Sequence, residues 1–401
     1  MQRPTAADPR DLRAPPRRGF ALSWRDPTVR AVFWQIVILG LVGAGIWWLV
    51  DNTMRNLEMR KIATGFRFLE REAGLPIGES LIPYSPADTY FRALTVGVLN
   101  TLRVAIVGAI LATVLGTVVG IARLSKNWLV AKCAAVYVEV LRDLPLLLQL
   151  LFWYALLQGL PGPRQALNPF GSVYLSNRGI KFPWIEWQEA HSAALLAFVV
   201  GLIAVWGLGR LFVARQMATG VRPRLWPWAI LLLVALPAGV WWAMGAPFTV
   251  DRPVLRGFNF RGGGTLTPEF AALLFGLILY TAAFIAEIVR AGILAVHQGQ
   301  WEAAGALGLT RGQQLRLVVL PQALRVIVPP LTSQYLNITK NSSLAVAIGY
   351  QDIVSIANTT INQTGQAIEG IAIIMLVYLT ISLTISLFMN WFNARIALKE
   401  R

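Results

Sequence analysis

Long apolar runs alternate with short polar stretches along the chain, and the runs set its architecture. AVFWQIVILGLVGAGIWWLV, at 31–50, is 20 residues without a charge. As a helix rising about 1.5 Å per residue it is about 30 Å long, the thickness of a bilayer's hydrocarbon core. Comparable runs lie at 104–122, 144–160, 192–209, 226–245, 268–289 and 371–392. One more, from about Ala323 to Ile348, is less apolar and holds Pro329-Pro330 and several amides. The pattern predicts an all-α integral membrane protein of about eight transmembrane helices. Tyr90 to Arg103 is amphipathic and is expected in the outer interface. AKCAAVYVEVLRD, before the third run, mixes apolar and charged residues and is expected at the inner one.

Residues 1–30 have no apolar period and read as a disordered cytoplasmic tail. The run that follows is too long for a signal peptide's apolar region, so it reads as an uncleaved anchor. Lys and Arg then orient the spans, because they collect in cytoplasmic loops. The tail has seven Arg. Arg123, Lys126 and Lys132 follow the second span; Arg210, Arg215, Arg222 and Arg224 follow the fourth. Arg311 and Arg316 follow the sixth, and Arg395, Lys399 and Arg401 the last. Alternate connections are balanced or empty: 51–92 has six basic and six acidic residues, and 349–368 has no Lys or Arg. Both termini are therefore expected inside. The expected organisation is a tail over 1–30, an anchor helix and external segment over 31–94, and a transmembrane domain over 95–401. Its inserted region, 161–265, would contain two extra spans.

Composition sharpens this picture. Only 14% of residues are charged and 56% are hydrophobic, against about 25% charged in soluble domains. The net charge of +16 is explained by the positive-inside bias and not by nucleic acid. Cys133 is the single cysteine; it excludes an internal disulfide and is expected as a small packing residue. His191 and His297 are far apart with no Cys near either, so no metal site is expected. Arg261 to Gly264 reads as a flexible turn with no strand before it.

The stretch that carries chemistry is WEAAGALGLTRGQQLRLVVLPQALRVIVPP, from Trp301. Residues 300–307 favour helix. Gly308 can adopt a left-handed conformation and end it. Thr310 can cap a second helix, with Gln313 at the capping-box position. Pro321 suits the first turn of the next. Two short helices thus meet at a glycine elbow between two spans, able to dock into a groove on a soluble partner.

This stretch resembles the EAA loop of binding-protein-dependent ABC importer permeases: Glu-Ala-Ala, three residues, Gly, nine residues, then Ile-x-Leu-Pro. Glu302, Ala303, Ala304, Gly308, Val318, Leu320 and Pro321 match it, with Val in place of Ile. The segments from Leu99, Tyr137 and Leu331 are similar to the polar and general L-amino-acid branch. The anchor and the extra spans resemble its larger permease type, whereas smaller members have five core spans. The resemblance implies that the loop, with Leu309, is the coupling helix held by the ATPase. It also implies a second homologous permease chain, two ABC ATPase subunits, a periplasmic amino-acid-binding protein and a bacterial inner-membrane location. The chain has no GxxxxGK[ST] loop, so ATP and Mg²⁺ would belong to the partner ATPase. This chain would be no enzyme and hold no cofactor.

The path for an L-amino acid is expected on the seventh span. Gln334, Asn337 and Asn341 share one helical face, with Lys340, Ser342 and Ser343 beside it. A Lys in a span costs about 2.5–3.5 kcal/mol unless it faces protein or water. Amides and hydroxyls can pair with both charged ends of an amino acid. The competing reading is a polar patch satisfying a helix break. Glu287–Arg290 and Glu139–Arg142 read as helix-surface ion pairs, with a cytoplasmic gate as the alternative. A secondary transporter driven by an ion gradient is the rival class. It would show midplane acids or inverted repeats, which this chain lacks. A membrane enzyme would need a nucleophile, base or metal cluster.

Overall fold

The computed structural model describes Trp24 and residues 27–59, 64–221 and 223–396. The tail expected over 1–30 lies outside the described residues, apart from Trp24 and the first turn of α1. The chain forms two compact bodies, 1–65 and 66–401. In the first, α1 (Pro27–Met59) has 33 residues and none is buried. Such an apolar helix is solvated by lipid.

The second body begins with α2 (Tyr90–Ala122), α3 (Trp128–Asp143) and α4 (Leu146–Gln158). The strands β1 (Tyr174–Ser176), β2 (Gly179–Phe182) and β3 (Trp184–Ile185) precede α5 (Glu189–Thr219), α6 (Trp226–Ile230) and α7 (Leu236–Ala243). Then come β4 (Val250–Asp251), β5 (Val254–Arg256), β6 (Asn259–Arg261) and β7 (Gly264–Leu266). The remainder is α8 (Pro268–Leu294), α9 (Gln298–Ala306), α10 (Arg311–Gln314), α11 (Leu320–Asn341), α12 (Ile353–Thr364) and α13 (Ala367–Ile396). Among the described residues, seven helical segments are long and apolar enough to cross a membrane, or eight when the bent pair α3–α4 counts as one.

The fold is mostly helical but not all-α. The two long connections that flank the inserted helices, 161–191 and 246–267, pair with each other: β2 lies between β1 and β7, and β3 pairs β4. Ile180 faces Leu266, and Trp184 faces Asp251. The turn at Arg261 to Gly264 has a strand on each side, contrary to expectation, and it is built tightly. Gly262 and Gly263 have φ of 77° and 67°, and a Cβ on Gly263 would lie 2.5 Å from the Phe182 carbonyl oxygen. Strands of two to four residues leave no period long enough to read.

α2, α8 and α11 form the centre. Small residues let α2 and α8 approach closely: a Cβ on Gly116 would lie 2.7 Å from the Ile285 Cβ, and one on Gly120 2.7 Å from the Ala286 carbonyl oxygen. Ile285, Val289, Ala323, Ile327 and Val328 close the core beside them. Tyr90 to Arg103 is no separate interfacial helix but the first turns of α2, capped by Thr89. Its apolar side is buried by protein: Tyr90, Ala93 and Leu94 pack with Phe68, Leu75 and Ile353. α3 meets α4 at 104° because Leu144 precedes Pro145 and is extended. The Gln149 side-chain amide donates to the carbonyls of Leu141 and Leu144 at 2.9 and 3.1 Å, satisfying groups the break frees. Cys133 is exposed and is not a packing residue.

Candidate coupling elbow and polar span

The elbow begins where α8 ends. His297 caps α9, its Nδ1 accepting from the Gly299 N–H at 3.1 Å. Gly308 has φ +72° and donates its N–H to the Gly305 carbonyl at 2.9 Å; Leu309 N–H reaches the Ala304 carbonyl at 3.3 Å. This left-handed glycine ends the helix as helix C-termini commonly do. The capping box on α10 is present: the Gln313 Oε1 accepts from the Thr310 N–H at 2.9 Å. The Gln314 side chain donates to the Leu309 carbonyl at 2.8 Å, tying the two arms together.

Within the elbow Ala304 is buried, at 2% exposure, while Glu302 and Ala303 face outward. Leu309 is half-buried. Leu307, which lies outside the motif positions, is 80% exposed at the tip. An apolar side chain held outward suits an anchor entering a pocket. α10 does not stop before α11. A π turn, Leu315–Val319, carries it into the helix that contains Pro321. Proline removes an N–H from the ladder, and a π turn absorbs that defect without ending the helix. From Arg311 on, the second arm of the elbow and α11 are therefore one continuous helix.

At the far end of α11 the polar residues divide. Asn337 and Lys340 are exposed, and Gln334, Asn341 and Ser343 are half-buried. Ser342 does not join that surface: it is fully buried, and its Oγ donates to the Thr339 carbonyl at 2.7 Å. α11 ends at Asn341 and a 3-10 turn, Ser342–Ile348, follows, the break expected near Lys340. Glu287 pairs with Arg290 at 2.7 Å and also with Arg123, at the end of α2. Arg123 was hidden from sequence because it lies 164 residues away. Glu139 and Arg142 make no ion pair; the Arg142 guanidinium lies 5.0 Å from the Phe284 ring centroid. Among the described residues no group of three His, Cys, Asp or Glu could hold a metal.

A many-helix bundle whose polar-faced span runs into an exposed elbow is the build of a transporter subunit. The chain belongs to the family of binding-protein-dependent transport system inner membrane components, whose model matches residues 112–398. It is 53% identical, over 95% of its length and 98% of the relative's, to the putative amino-acid ABC transporter permease protein YhdX of Escherichia coli. It is 50% identical to the general L-amino acid transport system permease protein AapQ of Rhizobium johnstonii, over 96% of this chain and 98% of that one. It is 45% identical to the glutamate/glutamine/aspartate/asparagine transport system permease protein BztB of Rhodobacter capsulatus, over 96% and 99%. The chain is thus an ABC transporter permease subunit, a transport component rather than an enzyme.

Proposed function

We propose that this subunit carries L-amino acids of several side-chain classes across a bacterial inner membrane, driven by ATP hydrolysed on a partner. The named substrates of its long-range relatives support that substrate class. One observation carries the mechanism: from Arg311, three residues past the outward Leu307–Gly308 tip, a continuous helix runs to the polar surface at Asn337 and Lys340. The elbow faces the cytoplasm, as do both termini, and docks into an ABC ATPase subunit through Glu302, Ala303, Leu307 and Gly308. Ala304, Leu309 and Pro321 hold it in shape. A second homologous permease chain covers the exposed face of α11. A periplasmic binding protein delivers substrate to the opposite side. ATP and Mg²⁺ act on the ATPase; when its dimer closes, the elbow moves α11 and the path changes the side to which it opens.

Gln334, Asn337, Lys340, Asn341 and Ser343 line that path, their amides, hydroxyl and ammonium meeting the substrate's carboxylate and ammonium. α1 and the external segment after it, to residue 94, serve as the anchor, and 95–401 is the transport domain, with 161–265 inserted. The test is uptake of labelled L-amino acids by vesicles holding the assembled importer. Uptake should need ATP and binding protein, and Asn341→Leu should lower it at least about tenfold with assembly intact, the loss of one hydrogen bond to a charged substrate group. Wild-type uptake without ATP, or unchanged rate and affinity in the variant, would overturn the respective part.

A further inference from the structure

The inserted helix α5 and the last helix α13 leave a groove of about 560 Å³ between their C-terminal halves. Its walls are apolar: Val205, Gly209 and Val213 from one turn to the next on α5, and Leu225 after it. Its charged positions are Arg210 and Arg395, one from each helix. Each guanidinium is backed by a tryptophan on its own helix. Arg210 lies 4.9 Å from the Trp206 ring centroid and Arg395 4.5 Å from that of Trp391. Among the described residues neither Arg has a carboxylate partner. The acids of α5 and α13 are Glu189 and Glu369, both in the first turn at the opposite end.

An apolar groove on transmembrane-length helices, closed at one end by two tryptophan-backed arginines with no carboxylate partner among the described residues, suits a lipid with an anionic headgroup. We propose that it binds an anionic phospholipid, such as phosphatidylglycerol. One acyl chain would lie along Val205 to Val213 and the phosphate would be held between Arg210 and Arg395. Charge complementarity selects the anionic headgroup, because two guanidiniums at a membrane interface present donors that match phosphate oxygens. The apolar walls select a lipid over free phosphate. Tryptophan indoles settle at headgroup depth, which fixes the arginines at that level. The lipid would wedge the insert against the last helix, two elements that otherwise touch little. The orientation proposed above decides only which leaflet supplies it.

The test uses the intact importer, purified in mild detergent. Lipids retained by wild type and by Arg210→Gln/Arg395→Gln are extracted and quantified by mass spectrometry. Melting is followed with added phosphatidylcholine or phosphatidylglycerol. Wild type should retain phosphatidylglycerol and melt several degrees higher with it than with phosphatidylcholine. The double variant should bind it about thirty-fold more weakly, which is about 1 kcal/mol for each arginine, and lose the shift. Where the double variant does not assemble, Val213→Trp fills the groove, keeps both charges and should also reduce retention. Equal retention in the variants, an equal shift with phosphatidylcholine, or a protein cross-linking to this groove in place of lipid would each overturn the site. Retention is read on the lipid and not on uptake, so its failure leaves the transport reading standing.

Discussion

Gly308 has open space around it, so a side chain there meets no neighbour. The cost of replacing it is the backbone's alone, because φ of +72° brings a Cβ close to the following carbonyl. Gly308→Ala should therefore cost about 1–2 kcal/mol locally. The permease should still assemble, with uptake reduced several-fold; normal uptake would show that the left-handed elbow is dispensable. Asp352 makes a different prediction. It caps α12, its Oδ1 accepting from the Ser355 N–H at 2.8 Å, yet it is fully buried. Burial pushes its carboxyl up from 3.8 to about 7. The folded state thus keeps its proton where the unfolded state has lost it. Stability should fall as pH rises from about 4 to about 7 and stay low above. Asn at 352 keeps the cap without the charge. Melting curves should show Asp352→Asn at least as stable as wild type near pH 8 and flatter across that window. A variant less stable at every pH would contradict this.

Helices report themselves in sequence when their pattern is local, and these largely did. The spans were legible because a lipid-facing helix is apolar all round for about 20 residues. The elbow was legible because a left-handed glycine and a capping box are chemical requirements at fixed offsets. The pairing of β2 with β7 was not, since the two strands lie more than 80 residues apart. α12 also escaped, because Ile353, Ile356 and Ala357 make a short apolar stripe that only α2 and α13 explain. Ser342 illustrates the limit for a site: spacing puts it beside Lys340, but only the break after Asn341 turns it inward. The α2–α8 contact separates two glycines that look alike in sequence. A Cβ on Gly108 would meet the flexible end of Ile338, whereas one on Gly120 would meet the Ala286 backbone. Gly108→Ala should change the melting temperature little. Gly120→Ala should destabilise by about 1–3 kcal/mol, as overpacking does. Equal losses would mean that the close approach does not set the helix pairing.

In the proposed mechanism force passes from the Leu307–Gly308 tip to the polar surface at Asn337, and from Arg311, just past the tip, to Asn341 the chain is continuous helix with one π turn. A flexible joint there would let the partner move without moving the span. The most direct measurement places a cysteine at Leu307, in a chain whose exposed Cys133 is changed to Ser, and cross-links it to the ATPase subunit in membranes. A Leu307–ATPase cross-link should form in high yield, and uptake should stop while it is intact and return on reduction. Absence of any cross-link from this tip, or full uptake with it locked, would contradict the account.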